Sequence, residues 1–329
     1  MKHITVFVPK GSNVLSSVVG PYKVFNSVNQ LLVQQGKQPF YHVEVAGTVN
    51  SNLLYDDIFA INCKKRFHEI DQTDLIVIPA CHPHCIPEMM KDNAEALKWI
   101  RDQHLIHGTE VASLCVGAFL LAGTGLVDNK DCATHWMAAD LFRSMFPQVN
   151  LVDDSVIIDS DGIYSSGGAY SFLNLLLHLV EKFNGKSIAI SIAKQFEIDY
   201  SRNSQSQFAM FLGHKRHEDK GVLMTQDFIE SNFEQKISVE ELANMASVSK
   251  RNFIRRFKDA TNHTPLEYIQ RVKIEAAKRS FESKNIGVND VMYSVGYSDS
   301  KSFRELFRRF TGLSPNDYKL RYNRALGMN

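Results

Sequence analysis

Arg251-Asn252-Phe253-Ile254-Arg255-Arg256-Phe257, followed by Thr261, Pro265 and Tyr268, returns fifty residues later as Lys301-Ser302-Phe303-Arg304-Glu305-Leu306-Phe307, followed by Thr311, Pro315 and Tyr318. Five identities, Phe, Phe, Thr, Pro and Tyr, recur at one offset. A repeat of that density marks an internal duplication, an architectural fact before a functional one. The repeated unit reads as a short helix, a tight turn and a basic second helix. That layout places a recognition helix in the DNA major groove.

Working outward, Ser238-Val239-Glu240-Glu241 reads as a capping box ahead of Leu242, Ala243 and Met245. Ser247-Val248-Ser249 makes the turn, with Ser249 placed to cap the second helix. Phe253 and Phe257 lie four apart and face inward, leaving Lys250, Arg251, Arg255, Arg256 and Lys258 outside. Thr264-Pro265 opens a long helix, because proline in the first turn forfeits no hydrogen bond. The second copy has a turn one residue longer, containing Gly296, then caps in Ser298-Asp299-Ser300, with Lys301, Arg304, Arg308 and Arg309 on its second helix.

Most lysine and arginine stripes are solvated helix faces, so the placement of charge matters. Residues 221–329 carry 18 Lys+Arg against 13 Asp+Glu, and residues 1–220 carry 19 against 23. The net +1 thus conceals a basic end, the electrostatic footprint of nucleic-acid binding.

At these residues the chain resembles the AraC/XylS family of transcription regulators over about residues 225–325. The specific part is Val291 to Asp299, with Phe303, Phe307, Arg308, Phe310, Thr311, Gly312 and Ser314-Pro315. The resemblance implies two helix-turn-helix units joined by one long helix and a double-stranded DNA operator as partner. By position it implies base-facing Arg251, Ile254 and Arg255 in the first unit, and Ser300, Lys301 and Arg304 in the second. Lys250 and Arg308 complete the expected DNA-binding set. Glu305 stands where the family commonly has Arg; it can accept from a cytosine amino group or serve an internal salt bridge.

With 44% hydrophobic and 22% charged residues, the 329-residue chain fits a soluble globular protein of two domains. No apolar run approaches membrane-spanning length, and Met1–Pro9 reads as a strand rather than a signal peptide. Five cysteines without a framework suggest a reducing cytoplasm.

The first 185 residues alternate strands with helices: Ile4–Pro9, helix Pro21–Gly36, Tyr41–Ala46, the apolar run Asp74–Ala80, helix Glu88–His107, Glu110–Leu114, a hairpin over Ser155–Ile158 and Gly162–Ser165, and helix Ala169–Phe183. The expected fold is a doubly wound α/β domain with a mostly parallel sheet, followed by an all-α domain with two helix-turn-helix units. A helical linker is expected over 186–224, with its joint at Ser201–Gly221.

Glu110–Leu114 runs directly into Cys115-Val116-Gly117-Ala118. A residue at such a strand-to-helix turn projects above the sheet, where free helix N–H groups favour a thiolate or a bound anion. His135, in Ala133-Thr134-His135-Trp136, could supply an imidazole. Most free cysteines, however, are small buried apolar residues. Ser113–Ala122, Gly125-Leu126, Ala133–Trp136 and Ser165-Ser166-Gly167-Gly168 resemble the ThiJ/PfpI branch of the class I glutamine-amidotransferase-like superfamily over residues 1–185, in the subset of GlxA-like regulators.

Reactive members of that superfamily usually place an acid near the cysteine; here that place holds Ser17. The resemblance therefore implies a sensor of a small molecule, amino-acid-like or an amine, in a chain that dimerises and is not an enzyme. Ser17, Ala80, Cys81, Cys115, Val116, His135, Trp136 and Ser166 are the candidate ligand-binding residues. The rivals are a Cys115/His135 amidase or glyoxalase-like enzyme and a thiol or metal sensor. Cys81-His82-Pro83-His84-Cys85 offers soft-metal donors, but the spacing is too compressed for all four to reach one ion. No cofactor, metal site or catalytic residue is assigned.

Overall fold

In the computed structural model of the protein, which describes residues 1–202, 204–215 and 217–323, the chain divides into two units between Gln205 and Ser206. The first opens with β1 (Lys2–Val8), α1 (Leu15–Gln34) and β2 (Tyr41–Gly47). A small antiparallel hairpin, β3 (Ser51–Leu54) and β4 (Phe59–Asn62), precedes β5 (Lys65–Arg66) and β6 (Leu75–Ile78). Then come α2 (Ile86–Asp92), α3 (Ala94–His107), β7 (Glu110–Ser113) and α4 (Ala118–Gly123). The unit closes with β8 (Asp131–Cys132), α5 (Ala139–Met145), β9 (Asn150–Leu151), β10 (Ile157–Ser160), β11 (Ile163–Ser166), α6 (Phe172–Asn184) and α7 (Lys186–Gln195).

Seven strands form one sheet in the order β10-β11-β7-β6-β1-β2-β5, parallel throughout except between β10 and β11. The apolar run of β6 is continuous because both faces are covered. Ile76 and Ile78 enter a core with α3 and α4, while Leu75 and Val77 enter a second core with α1, α6 and α7.

Three local readings differ from the structure. The first helix begins at Leu15, not Pro21, and carries Pro21 inside it, with Ser17 and Val18 already buried. The helix expected over Glu88–His107 is two helices broken at Asn93. That side chain is buried, accepts from Lys10 N and Thr48 Oγ1, and donates to the carbonyls of Lys10 and Met89. The expected linker 186–224 is divided between the units. Ile188, Ala189 and Ile192 of α7 pack into the first unit's core, and residues 206–224 belong to the second. Asn203 and Arg216 of the expected joint, and residues 324–325 at the expected end of the DNA-binding domain, lie outside the described residues.

The second unit is helical: α8 (Lys220–Ser231), α9 (Val239–Met245), α10 (Lys250–Thr261), α11 (Pro265–Ser283), α12 (Val288–Ser294), α13 (Ser300–Thr311) and α14 (Pro315–Tyr322). It has two cores. Tyr268, Ile269 and Val272 of α11 pack with α8, α9 and α10, whereas Ile274, Ala277 and Phe281 of the same helix pack with α12, α13 and α14.

The five repeated residues do the same work twice. The Phe253 and Phe257 rings lie 5.5 Å apart, and those of Phe303 and Phe307 5.9 Å apart. Thr261 Oγ1 donates to Phe257 O at 2.6 Å, and Thr311 Oγ1 to Phe307 O at 2.8 Å, tying off α10 and α13. Pro265 and Pro315 each stand in a first helical turn. Tyr268 packs edge-on against Phe257 at 5.3 Å, and Tyr318 against Phe307 at 5.4 Å.

Candidate functional site

β7 delivers Cys115 to its turn with φ at +55°, a left-handed conformation uncommon for a residue with a side chain. The turn is held on every side. Leu114 N donates to Ile78 O at 2.9 Å, Cys115 N to Ser166 Oγ at 3.2 Å, and Thr134 Oγ1 to Cys115 O at 3.1 Å. Gly117 follows because nothing larger fits: a Cβ there would sit 2.5 Å from Pro79 O.

Burial pushes the Cys115 thiol up to about 12, overriding the lowering effect of its hydrogen bond to the Val116 backbone. Cys81, in the loop after β6, is pushed up to about 12 by burial, and negative charge on Cys115 or Cys85 would raise it further. Its Sγ lies 3.8 Å from Val116 O. Burial thus disfavours the thiolate at both positions.

Ser17, fully buried on α1, donates to Val14 O at 2.6 Å and accepts from Ala80 N at 2.9 Å. Its hydroxyl thus fastens the loop after β6, and supplies no acid to the thiol. His135 is half-buried, and burial lowers its pKa. Its Nδ1 accepts from Met137 N at 3.1 Å and its ring lies 5.4 Å from Trp136. Among the described residues no hydrogen bond joins His135 to Cys115. Contacts therefore join Ser17 with Ala80, Cys81 with Val116, and Cys115 with Ser166; His135 and Trp136 occupy the segment after Thr134. The donors of Cys81–Cys85 do not converge on one point among the described residues.

Gln205 is the residue that sequence reasoning missed. It is buried, with Nε2 donating to Thr134 O at 2.9 Å and Asp153 O at 2.8 Å, and Oε1 accepting from Trp136 N at 3.2 Å. A glutamine in a polar, turn-rich stretch gave no signal of this.

In the helical unit, the second helix of each repeat is capped from its turn. Ser249 Oγ accepts from Asn252 N at 3.4 Å, and Asp299 Oδ1 from Ser302 N at 2.7 Å. The α12–α13 turn is one residue longer than the α9–α10 turn and needs Gly296, with φ +75° and Glu234 O 2.2 Å from any added Cβ. Lys250, Arg251, Arg255, Ser300, Lys301, Arg304 and Arg308 are exposed, and Ile254 is half-buried. Arg255 is held loosely by Asp259 at 3.4 Å, and Arg304 by Ser300 Oγ at 3.1 Å; Lys250 pairs with Glu240. Arg256, by contrast, is committed internally, with two hydrogen bonds to Asp219 at 2.8 and 2.6 Å. Glu305 is exposed on α13.

Comparison with known proteins agrees with both halves. Residues 4–182 match the DJ-1/PfpI family, and residues 242–321 match a helix-turn-helix domain. The chain is 26% identical over 211 residues to the HTH-type transcriptional regulator GbdR of Pseudomonas aeruginosa, covering 64% of this chain and 57% of GbdR. To CdhR, an HTH-type transcriptional regulator of the same organism, it is 23% identical over 302 residues, 91% of this chain and 85% of CdhR. To GlxA of Rhizobium meliloti, also an HTH-type transcriptional regulator, it is 22% identical over 215 residues, 65% of this chain and 66% of GlxA. The crystal structure of a putative transcriptional regulator protein from Vibrio parahaemolyticus superposes with a TM-score of 0.52 at 21% identity, over 59% of this chain and 98% of that one, a likeness of fold. The chain belongs to the DJ-1/PfpI family, with an AraC-type helix-turn-helix domain carried behind it.

Proposed function

We propose that the protein is a ligand-responsive transcription regulator. Its two helix-turn-helix units bind consecutive major-groove segments of a double-stranded operator through α10 and α13. The observation that carries this reading is the duplicated helix geometry: in each copy a phenylalanine pair is buried while basic side chains are left outside. The names of GbdR, CdhR and GlxA as transcriptional regulators support it. Arg251, Ile254, Arg255, Ser300, Lys301 and Arg304 reach base edges, and Lys250 and Arg308 bind phosphate.

The α/β unit senses a small molecule, amino-acid-like or an amine, at the Cys115 turn, through Ser17, Ala80, Cys81, Cys115, Val116, His135, Trp136 and Ser166. It is not an enzyme: the thiol is held neutral by burial, and Ser17 stands where an acid would be needed. The regulator works as a homodimer in the cytoplasm. No helix among the described residues is long and apolar enough to cross a membrane, and the five cysteines are free thiols.

Genome-wide mapping of bound DNA, followed by footprinting with purified protein, tests the reading. Protection of two adjacent major-groove segments is expected; an absence of sequence-specific protection would overturn it.

A further inference from the structure

At the amino ends of the first two strands, remote from the Cys115 turn at the carboxyl ends, two imidazoles and a carboxylate converge. His3 of β1 pairs directly with His42 of β2, and Glu44 lies two residues on along β2, hence on the same face. The histidine rings are stacked at 5.1 Å with an interplanar angle of 27°. One donor atom from each of the three residues lies within 4.8 Å of the other two.

The donor geometry singles this cluster out. His3 Nδ1 is 3.2 Å from Gln72 O, a carbonyl oxygen that can only accept, so in the Nδ1–H tautomer the ring donates there. In that tautomer Nε2 keeps its lone pair; it is buried without a hydrogen-bond partner among the described residues, and Glu44 Oε1 lies 2.5 Å away. In that tautomer two electron-rich atoms lie at contact distance and call for a shared positive centre, a proton or a metal ion. Zinc-binding histidines characteristically donate their other N–H to a backbone carbonyl, the position that Gln72 O holds beside His3 Nδ1. Glu44 is ordered in the same way: its side chain is 14% exposed, and Lys65 holds its other oxygen, Oε2, at 3.0 Å.

We propose that His3 Nε2, His42 and Glu44 Oε1 bind zinc, with water in the fourth position on the solvent side where His42 is exposed. Bonds of about 2.0–2.1 Å in a tetrahedron set donors about 3.3 Å apart, so the His3–Glu44 pair opens by roughly 0.8 Å on binding. Lys65 beside the carboxylate opposes a dication, which makes the site one of moderate affinity. The ion clamps β1 to β2, so zinc stabilises the fold by mass action. This site stands apart from the DNA-binding reading and does not depend on it.

The test uses the full chain and zinc itself. Zinc is titrated against a chromophoric chelator, and thermal unfolding is followed with and without zinc. Cobalt substitution reports the ligand set. We expect one metal per chain and a zinc-dependent rise in Tm. His42→Ala and Glu44→Gln should each weaken binding by about tenfold or more and abolish the rise in Tm. Cobalt should give visible ligand-field bands without sulfur charge-transfer absorption, unchanged in His84→Ala and Cys85→Ser. A zinc affinity indifferent to His42→Ala, or a cobalt spectrum dominated by sulfur, overturns the proposal. So does unfolding that zinc leaves unmoved, in which case the shared centre is a proton.

Discussion

Tyr268 of α11 donates its hydroxyl to Glu230 of α8 at 2.7 Å. Tyr318 of α14 stands in the same relation to Glu282, at the end of α11, at 2.5 Å. The duplication thus extends to a sixth position, at an offset of 52 rather than 50 residues, because the α11–α12 connection is three residues shorter than the α8–α9 connection and the longer second turn restores only one of them. Both tyrosine hydroxyls are pushed above their ordinary range by burial and then by the carboxylate, so each remains a donor. Tyr268→Phe and Tyr318→Phe should each destabilise the helical unit by about 1–3 kcal/mol, the cost of a hydrogen bond to a charged, partly buried acceptor. Urea unfolding reads this, and Glu230→Gln in the Tyr268→Phe background should cost less than it does alone.

Arg255→Ala and Arg304→Ala are each expected to weaken specific DNA binding by about 1–3 kcal/mol, since both guanidiniums are exposed and only loosely held. Kd for a mapped operator, measured from about 50 to 200 mM salt, should rise steeply through counterion release. Wild-type affinity in both variants would remove these residues from the interface.

The thiols make the fold alkali-sensitive. Cys81 and Cys115 are pushed up to about 12, and Cys132 to about 11, from an ordinary value of 9.0, chiefly by burial. The folded state therefore holds these protons more tightly than the unfolded chain. Their contribution to stability is complete below pH 9 and is lost as pH rises toward 12. Denaturation midpoints between pH 8 and 11 should fall for wild type and fall less for Cys115→Ser. That variant should also keep its DNA affinity, and wild type should show no turnover of model amides or 2-oxoaldehydes. Turnover that disappears in Cys115→Ser would show that the α/β unit is an enzyme.

For effector response, His135→Ala or Trp136→Ala should abolish the change in operator affinity caused by the effector, a coupling of about 1–3 kcal/mol or 5- to 150-fold. Binding without effector should stay near wild type. If both variants keep the full response, the sensing pocket lies elsewhere, and Cys81–Cys85 is the next place to look.

What could be read from the chain was what is encoded locally. The repeat, its caps and its inward phenylalanines lie within a few residues of one another, so spacing alone exposes them. The run at β6 shows its double burial because every residue in it is apolar. The break at Asn93 was illegible, because its cause is Lys10 and Thr48, far away in sequence. The dual role of residues 186–224 was hidden for the same reason. Polar residues there looked like a joint, yet Gln205 satisfies backbone groups near residues 134 and 154, and Lys278 of α11 donates to Ala209 O at 2.6 Å. His3, His42 and Glu44 meet only through strand register, which neither segment specifies by itself.

Because α11 belongs to both helical cores, it would act as a ruler in the proposed operator complex. Its 19 residues span roughly 28 Å at the rise of an α-helix, near the 34 Å repeat of DNA. A rigid rod cannot twist to follow a binding site whose halves have been rotated about each other. Inserting about five base pairs between the two contacted segments turns one of them to the opposite side of the duplex. Such an operator should be gripped by one recognition helix at a time, whereas an insertion of a full turn would restore the facing but exceed the rod's reach.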